Sequence, residues 1–194
     1  MSNKLKFYLL IGPVVVSFIF ALTSPIIQIY FVSRVATEIF AAANMLSTGL
    51  AALVNSSVAV DKIMTWYKKH FYSIVIIDLL CFCTVSFLST EYVTIRFLGL
   101  AILNAVSTNL WFVLMRNAVN NTIKGDNLTK WESFESAWNL GGQFFGAALA
   151  IYLTSIPLEM CIGLQCIANV VMGATDYKAW NMIWERREDN NDTE

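Results

Sequence analysis

The chain has 194 residues and is strongly apolar: 57% of its residues are hydrophobic, 14% are charged, and its mean hydropathy is +0.57. Soluble domains carry about 25% charged residues, so this composition argues against a soluble globular protein. The formal net charge of -1 gives no indication of the partners, and no nucleic-acid partner is predicted.

Six long apolar segments follow one another along the chain. Five of them contain no Asp, Glu, Lys or Arg: residues 7–33, 39–60, 97–115, 136–158 and 160–175. The other, residues 71–90, contains only Asp78. A transmembrane helix needs about 20 apolar residues, and it satisfies its backbone polar groups internally. The sequence therefore predicts an all-α integral membrane protein with six transmembrane helices, at about residues 7–31, 38–60, 70–89, 92–115, 133–155 and 158–180.

The N-terminal apolar segment is not expected to be a cleavable signal peptide. The first apolar segment is about twice as long as the apolar region of a cleavable signal peptide, and no clear small-residue cleavage site follows it. The first predicted helix is therefore expected to stay in the membrane domain, residues 1–184. Residues 185–194 are polar and largely acidic, which is typical of a short solvated tail.

Polar residues interrupt the second and third predicted helices. Asn44 and Asn55 are eleven residues apart, a spacing that returns to nearly the same helix face. Asp78 lies near the middle of the third helix among apolar neighbours, so it needs a partner, a proton or water. Its helix also holds Cys81 and Cys83, which are interpreted as small buried hydrophobes because no histidine or carboxylate cluster accompanies them.

The fourth and fifth predicted helices carry further polar and small residues. Arg96 lies about one turn inside the fourth helix. Its side chain either snorkels to the membrane interface or has a functional role. In the fifth helix, Gly142 and Gly146 form a GxxxG motif that lets helix backbones approach closely. Asn139 and Gln143 share that side, and either hydrogen-bond across a helix contact or line a wet cavity. Polar faces of this extent indicate a protein interface or a solvated pathway.

The basic residues alternate between the two sides of the predicted bundle. Cytoplasmic loops carry an excess of Lys and Arg. In the six-helix arrangement eleven of the thirteen basic residues fall on one side, and only Arg34 and Arg96 fall on the other. The sequence therefore predicts a multi-pass protein of the cell membrane with both termini in the cytoplasm.

Signatures of catalysis and cofactor binding are absent from the sequence. It contains no Walker A, GxGxxG, GxSxG or HExxH motif, and its single histidine is His70. The chain is therefore not expected to be an enzyme. No cofactor and no metal site are predicted.

Several of these features resemble the N-terminal half of a major facilitator superfamily transporter. Such a half has six helices with both termini in the cytoplasm. Arg96-Phe97-Leu98-Gly99 is similar to the family's arginine and glycine motif in the fourth helix, and residues 139–150 are similar to its glycine-rich fifth-helix motif. Asp61-Lys62 matches the acidic and basic pair of the link between helices 2 and 3, although both glycines of that motif are missing.

The resemblance implies a half-sized membrane transporter that works as a homodimer or with a second half. A complete facilitator has two such halves around a midplane site. Substrate would bind between the halves, and Arg96 would either attract an anionic group of a small molecule or bias protonation. The implied secondary contacts are Asp78, Asn44, Asn139 and Gln143, and the implied gating link is Asp61-Lys62.

An alternative is a non-transporting membrane interaction protein. An immunity, exclusion or regulatory factor would use the same polar helix faces to bind another membrane protein. Both hypotheses expect the lipid bilayer and a second membrane-embedded chain as partners.

Overall fold

A computed structural model describes residues 2–56, 69–70, 76, 79–80, 83–85, 87–88, 90–103, 116, 119–120, 122–123, 125–153 and 155–191. The elements within these residues are all helical. They are α1 (Asn3–Val32), α2 (Thr37–Ser56), α3 (Val93–Leu103), α4 (Asp126–Ala150) and α5 (Leu158–Asn191), with a single 3-10 turn, Thr90–Tyr92, directly before α3.

Helices α1 and α4 begin earlier than the apolar segments predict. The Ser2 hydroxyl accepts a hydrogen bond of 3.3 Å from the Leu5 amide, which caps the start of α1. Gly125 precedes α4 with a φ of 64°, a left-handed conformation that glycine adopts without steric cost. Both helices thus begin several residues before the apolar segments that would cross a membrane.

The far ends of α4 and α5 also differ from the predicted limits. Helix α4 ends at Ala150, and turn residues 151–152 follow where helix was expected to continue to residue 155. Helix α5 continues to Asn191, through the segment expected to be a polar tail. No glycine or proline follows residue 173 to stop it, and Glu and Arg are good helix formers.

Two of the described helices are long and apolar enough to cross a membrane. These are Asn3–Val32 and Leu158–Ile183, judged by length and composition. In the described part of α3, Val93–Ile102 is apolar but shorter than a full span. The third predicted helix lies largely outside the described residues, as do residues 57–60 and 104–115.

The chain divides into two compact units. The first, here called unit 1, comprises residues 1–24, 115–155 and 167–194. Its core contains Leu5 and Leu9 of α1 with Trp180 and Ile183 of α5, all buried. A Cβ on Gly12 would meet Met172 Cα at 3.2 Å, so α1 and α5 approach closely at this glycine.

The second unit, unit 2, comprises residues 25–114 and 156–166. Phe97 of α3 stacks on Phe40 of α2 with ring centroids 5.0 Å apart, and its ring lies 5.2 Å from Phe31 of α1. These rings join three helices in one aromatic cluster. A neighbouring apolar cluster is formed by Ile27, Cys83, Leu100, Leu158, Ile162 and Cys166.

Candidate functional site

The two glycines of the GxxxG motif form a close helix contact in unit 1. A Cβ on Gly142 would lie 3.0 Å from the Val14 carbonyl oxygen, and one on Gly146 would overlap the Phe18 carbonyl oxygen. The absence of side chains at these two positions lets the backbones of α1 and α4 meet. Because both pairs advance by four residues in the same direction, α1 and α4 run parallel here.

An apolar groove lies beside this contact, between α1 and α4. We call it the α1–α4 groove. It has a volume of 520 Å³ and is lined by Val14, Val15, Phe18, Ile19, Ala137, Trp138, Gly141, Gly142 and Phe145. Trp138 and Phe145 are 52% and 65% exposed. A Cβ added at Gly141 would meet no atom within 4 Å, so the glycine leaves open space in the groove.

The two amides of α4 differ in their surroundings. Asn139 is partly buried, and its Oδ1 is buried without a hydrogen-bond partner among the described residues. Gln143 is exposed. It follows Gly141 by two residues, about 200° around the helix, so it lies on nearly the opposite side of α4 from the groove.

Helix α2 exposes a polar face in unit 2. Asn44 and Thr48 are both exposed and lie one turn apart. The Thr48 hydroxyl donates a 2.9 Å hydrogen bond to the Asn44 carbonyl oxygen, so its proton is satisfied within the helix. Gly49 beside them is exposed, and a Cβ there would meet nothing within 4 Å. This face of α2 is therefore open within unit 2.

Arg96 is buried in the first turn of α3. It is only 3% exposed, so it does not snorkel to the surface of the unit. Its Nη1 donates a 3.4 Å hydrogen bond to the Leu88 carbonyl oxygen, and its Nε has no partner among the described residues. Burying a cation without compensating hydrogen bonds is costly.

Unit 1 contains Asn139, Gln143, Gly142 and Gly146, whereas Asn44 and Arg96 belong to unit 2. Three further predicted site residues, Asp78, Asp61 and Lys62, lie outside the described residues, as does Cys81.

Asp176 is a buried carboxylate that is not among the predicted site residues. It lies in α5 and is 2% exposed. It directly follows the charge-free segment 160–175. The signal that could have identified it is its spacing: Trp180 and Ile183 follow at four and seven residues, on the same helix face. Both are buried.

Metal-binding chemistry has no support in the described residues. No group of three or more His, Cys, Asp or Glu among them could hold a metal ion. Cys83, Cys161 and Cys166 form no disulfide bond within the described part of the chain, and the latter two are buried.

Comparisons with known proteins give no relative for this chain. No protein-family model, curated protein or solved structure matches it significantly.

Proposed function

We propose that this chain is a six-span protein of the cell membrane, with both termini in the cytoplasm, that acts by binding another membrane-embedded chain. The two long apolar helices support the membrane placement. The parallel contact of α1 and α4 supports the arrangement, because the first and fifth helices of an in-in bundle both run outward from the cytoplasm.

The observation that carries this proposal is the exposed amide of Gln143. It lies on α4 beside Phe144, which is 68% exposed, and near Leu140, which is 63% exposed. No hydrogen bond from its side chain is formed with the described residues. Facing hydrocarbon, an amide without a partner costs about 4–8 kcal/mol. A helix of another chain that offers a hydrogen bond removes that cost.

Asn44 supports the same conclusion from unit 2. Its exposed amide lies beside Met45, which is 77% exposed, on a helix with small residues at Ala41 and Gly49. Small residues permit close helix approach, and an amide adds a directional hydrogen bond. Faces of this kind fit an immunity, exclusion or regulatory factor that recognises another membrane protein. A second copy of the chain would fit them in the same way.

Association in bilayers tests the proposal. Donor- and acceptor-labelled chains are reconstituted together, and energy transfer is followed as lipid dilutes them. An interhelical amide hydrogen bond contributes about 1 kcal/mol, so Gln143→Leu should weaken self-association about five-fold. Asn127→Leu is the matched control, because Asn127 is an exposed amide before the apolar part of α4.

Energy transfer that is absent at every dilution rules out the second copy as partner. A one-to-one complex with a different membrane protein, weakened by Gln143→Leu and not by Asn127→Leu, then supports the regulatory form. A chain that stays monomeric without any such complex contradicts the proposal.

A second candidate is the half-sized facilitator-like carrier. Arg96 favours it, because its guanidinium is buried and, among the described residues, is bonded only at 3.4 Å to the Leu88 carbonyl oxygen. Such a group is suited to attract an anionic substrate group. In this form two halves enclose the substrate and rock against each other.

Flux measurements separate the two candidates. Uptake of small organic anions into proteoliposomes that is lost in Arg96→Ala, while association persists, supports the carrier. Arg34→Ala is the control, because Arg34 is exposed and stacks 4.1 Å from the Tyr30 ring. No flux together with an intact complex contradicts the carrier.

A further inference from the structure

Each helix of the α1–α4 groove places a lysine on the groove side near its N-terminal end. Lys4 precedes Val15 by eleven residues, and Lys130 precedes Gly141 by eleven residues. Eleven residues are close to three turns, so each lysine shares the face of the groove residue. Both lysines are exposed. Because α1 and α4 run parallel and Val14 lies against Gly142, the two lysines lie beyond the same end of the groove, about 10–15 Å along the helices from its first lining residues.

The distance from these lysines to the far end of the groove matches one leaflet of a bilayer. Lys130 and Phe145 are separated by fifteen residues, about 22 Å along the helix. Half of a bilayer, including its headgroups, measures about 20–22 Å. Phe134, 46% exposed, and Trp138 stand between the two ends, with ring centroids 6.2 Å apart. A basic end and an apolar groove are thus arranged along one leaflet.

We propose that the α1–α4 groove holds one acyl chain of an anionic phospholipid from this leaflet, with the phosphate between Lys4 and Lys130. The proposal rests on the membrane placement above. The acyl chain would fill the open space at Gly141 and pack against Trp138.

The dimensions and lining of the groove select this occupant. A helix with its side chains has a diameter of about 10–12 Å. Because α1 and α4 meet at Gly142 and Gly146, the groove beside them is narrow, and a single extended acyl chain follows it more closely than a helix would. Of the lining side chains only Trp138 has a polar atom, its indole nitrogen. A water-soluble anion would therefore find no hydrogen-bonding groups in the groove, whereas an acyl chain needs none.

Matched variants test the apolar groove and the two lysines separately. Gly141→Leu fills the groove, and its control is Gly163→Leu, because a Cβ at either glycine meets nothing within 4 Å. Lys4→Gln and Lys130→Gln remove the charges. Their control is Lys6→Gln, an exposed lysine nine residues before Val15, on the opposite face of α1.

Quenching of Trp138 fluorescence by brominated lipid measures occupancy. The full chain is placed in phosphatidylcholine nanodiscs with increasing fractions of dibrominated phosphatidylglycerol or dibrominated phosphatidylcholine. The Trp138 contribution is the difference between the parent chain and Trp138→Phe. A basic residue near the membrane surface contributes about 1 kcal/mol of attraction to anionic lipid. With two lysines, the brominated anionic lipid should quench Trp138 at a mole fraction about 25-fold lower than the brominated neutral lipid requires.

The variants should each change this preference in a defined way. Lys4→Gln and Lys130→Gln should each reduce it about five-fold, and Gly141→Leu should abolish it. Lys6→Gln and Gly163→Leu should leave it unchanged.

Three outcomes would overturn the proposal. Equal quenching by the two brominated lipids would show general lipid contact only. Loss of Trp138 quenching while other tryptophans are quenched would show that another protein chain covers the groove. If neither lipid quenches any tryptophan, the membrane placement itself fails, and the proposed function fails with it.

Discussion

Alanine substitutions at three glycines of α4 test the contact between α1 and α4. A Cβ at Gly141 would meet no atom within 4 Å, one at Gly142 would lie 3.0 Å from the Val14 carbonyl oxygen, and one at Gly146 would overlap the Phe18 carbonyl oxygen. Alanine in a helix interior gains about 1 kcal/mol over glycine. A carbonyl oxygen in a helix cannot rotate away, so an overlapping Cβ costs about 3 kcal/mol.

These terms give an ordered series of unfolding free energies. Gly141→Ala should stabilise the chain by about 1 kcal/mol, and Gly146→Ala should destabilise it by about 2 kcal/mol. Gly142→Ala should fall between them, because Val14 must move by only a few tenths of an ångström. Titration with SDS from mixed micelles, followed by circular dichroism, measures the series. Equal stability of Gly141→Ala and Gly146→Ala would refute the close contact of α1 with α4.

The same titration tests three other features. Phe97→Ala should lower the free energy of unfolding by about 3–5 kcal/mol, because Phe97 joins α1, α2 and α3. Phe87→Ala is the control and should lower it far less, because Phe87 is 57% exposed. Equal losses would contradict the aromatic cluster. Arg96→Met should raise the free energy of unfolding by about 1–4 kcal/mol, because it removes a buried charge whose only hydrogen bond among the described residues is 3.4 Å long. A large loss of stability would show that Arg96 has a strong partner. A double-mutant cycle on Arg116 and Glu132 should give a coupling free energy below about 1 kcal/mol, because the two side chains form a 3.2 Å ion pair that is exposed to solvent. A coupling free energy twice as large would contradict a screened surface pair.

The sequence indicates helices well because their signal is local. Uninterrupted apolar runs fix the position of α1, and a glycine spacing of four marks one face of α4. The helix ends are less predictable, since apolarity reports membrane depth whereas hydrogen bonding decides where a helix ends. Gly125 illustrates this difference: α4 starts directly after it, before the predicted start at residue 133.

Features that depend on pairing between distant residues could not be predicted. The α1–α4 groove exists because Val14 lies against Gly142, a register that neither helix encodes alone. Arg96 shows the same limit, because its position in the sequence is compatible with snorkelling as well as burial. Its burial follows from the packing of unit 2 around it.

Photocrosslinking from α4 in the membranes of cells that produce the chain tests the central claim most directly. A benzoylphenylalanine probe replaces Gln143 in one variant and Phe145 in another; both residues are exposed, on different sides of α4. We expect the probe at position 143 to form one discrete protein adduct, with a second copy of the chain or with one other membrane protein. The probe at position 145 should form adducts with lipid. Lipid adducts alone at position 143 would contradict the claim that the amide face of α4 is covered by another chain.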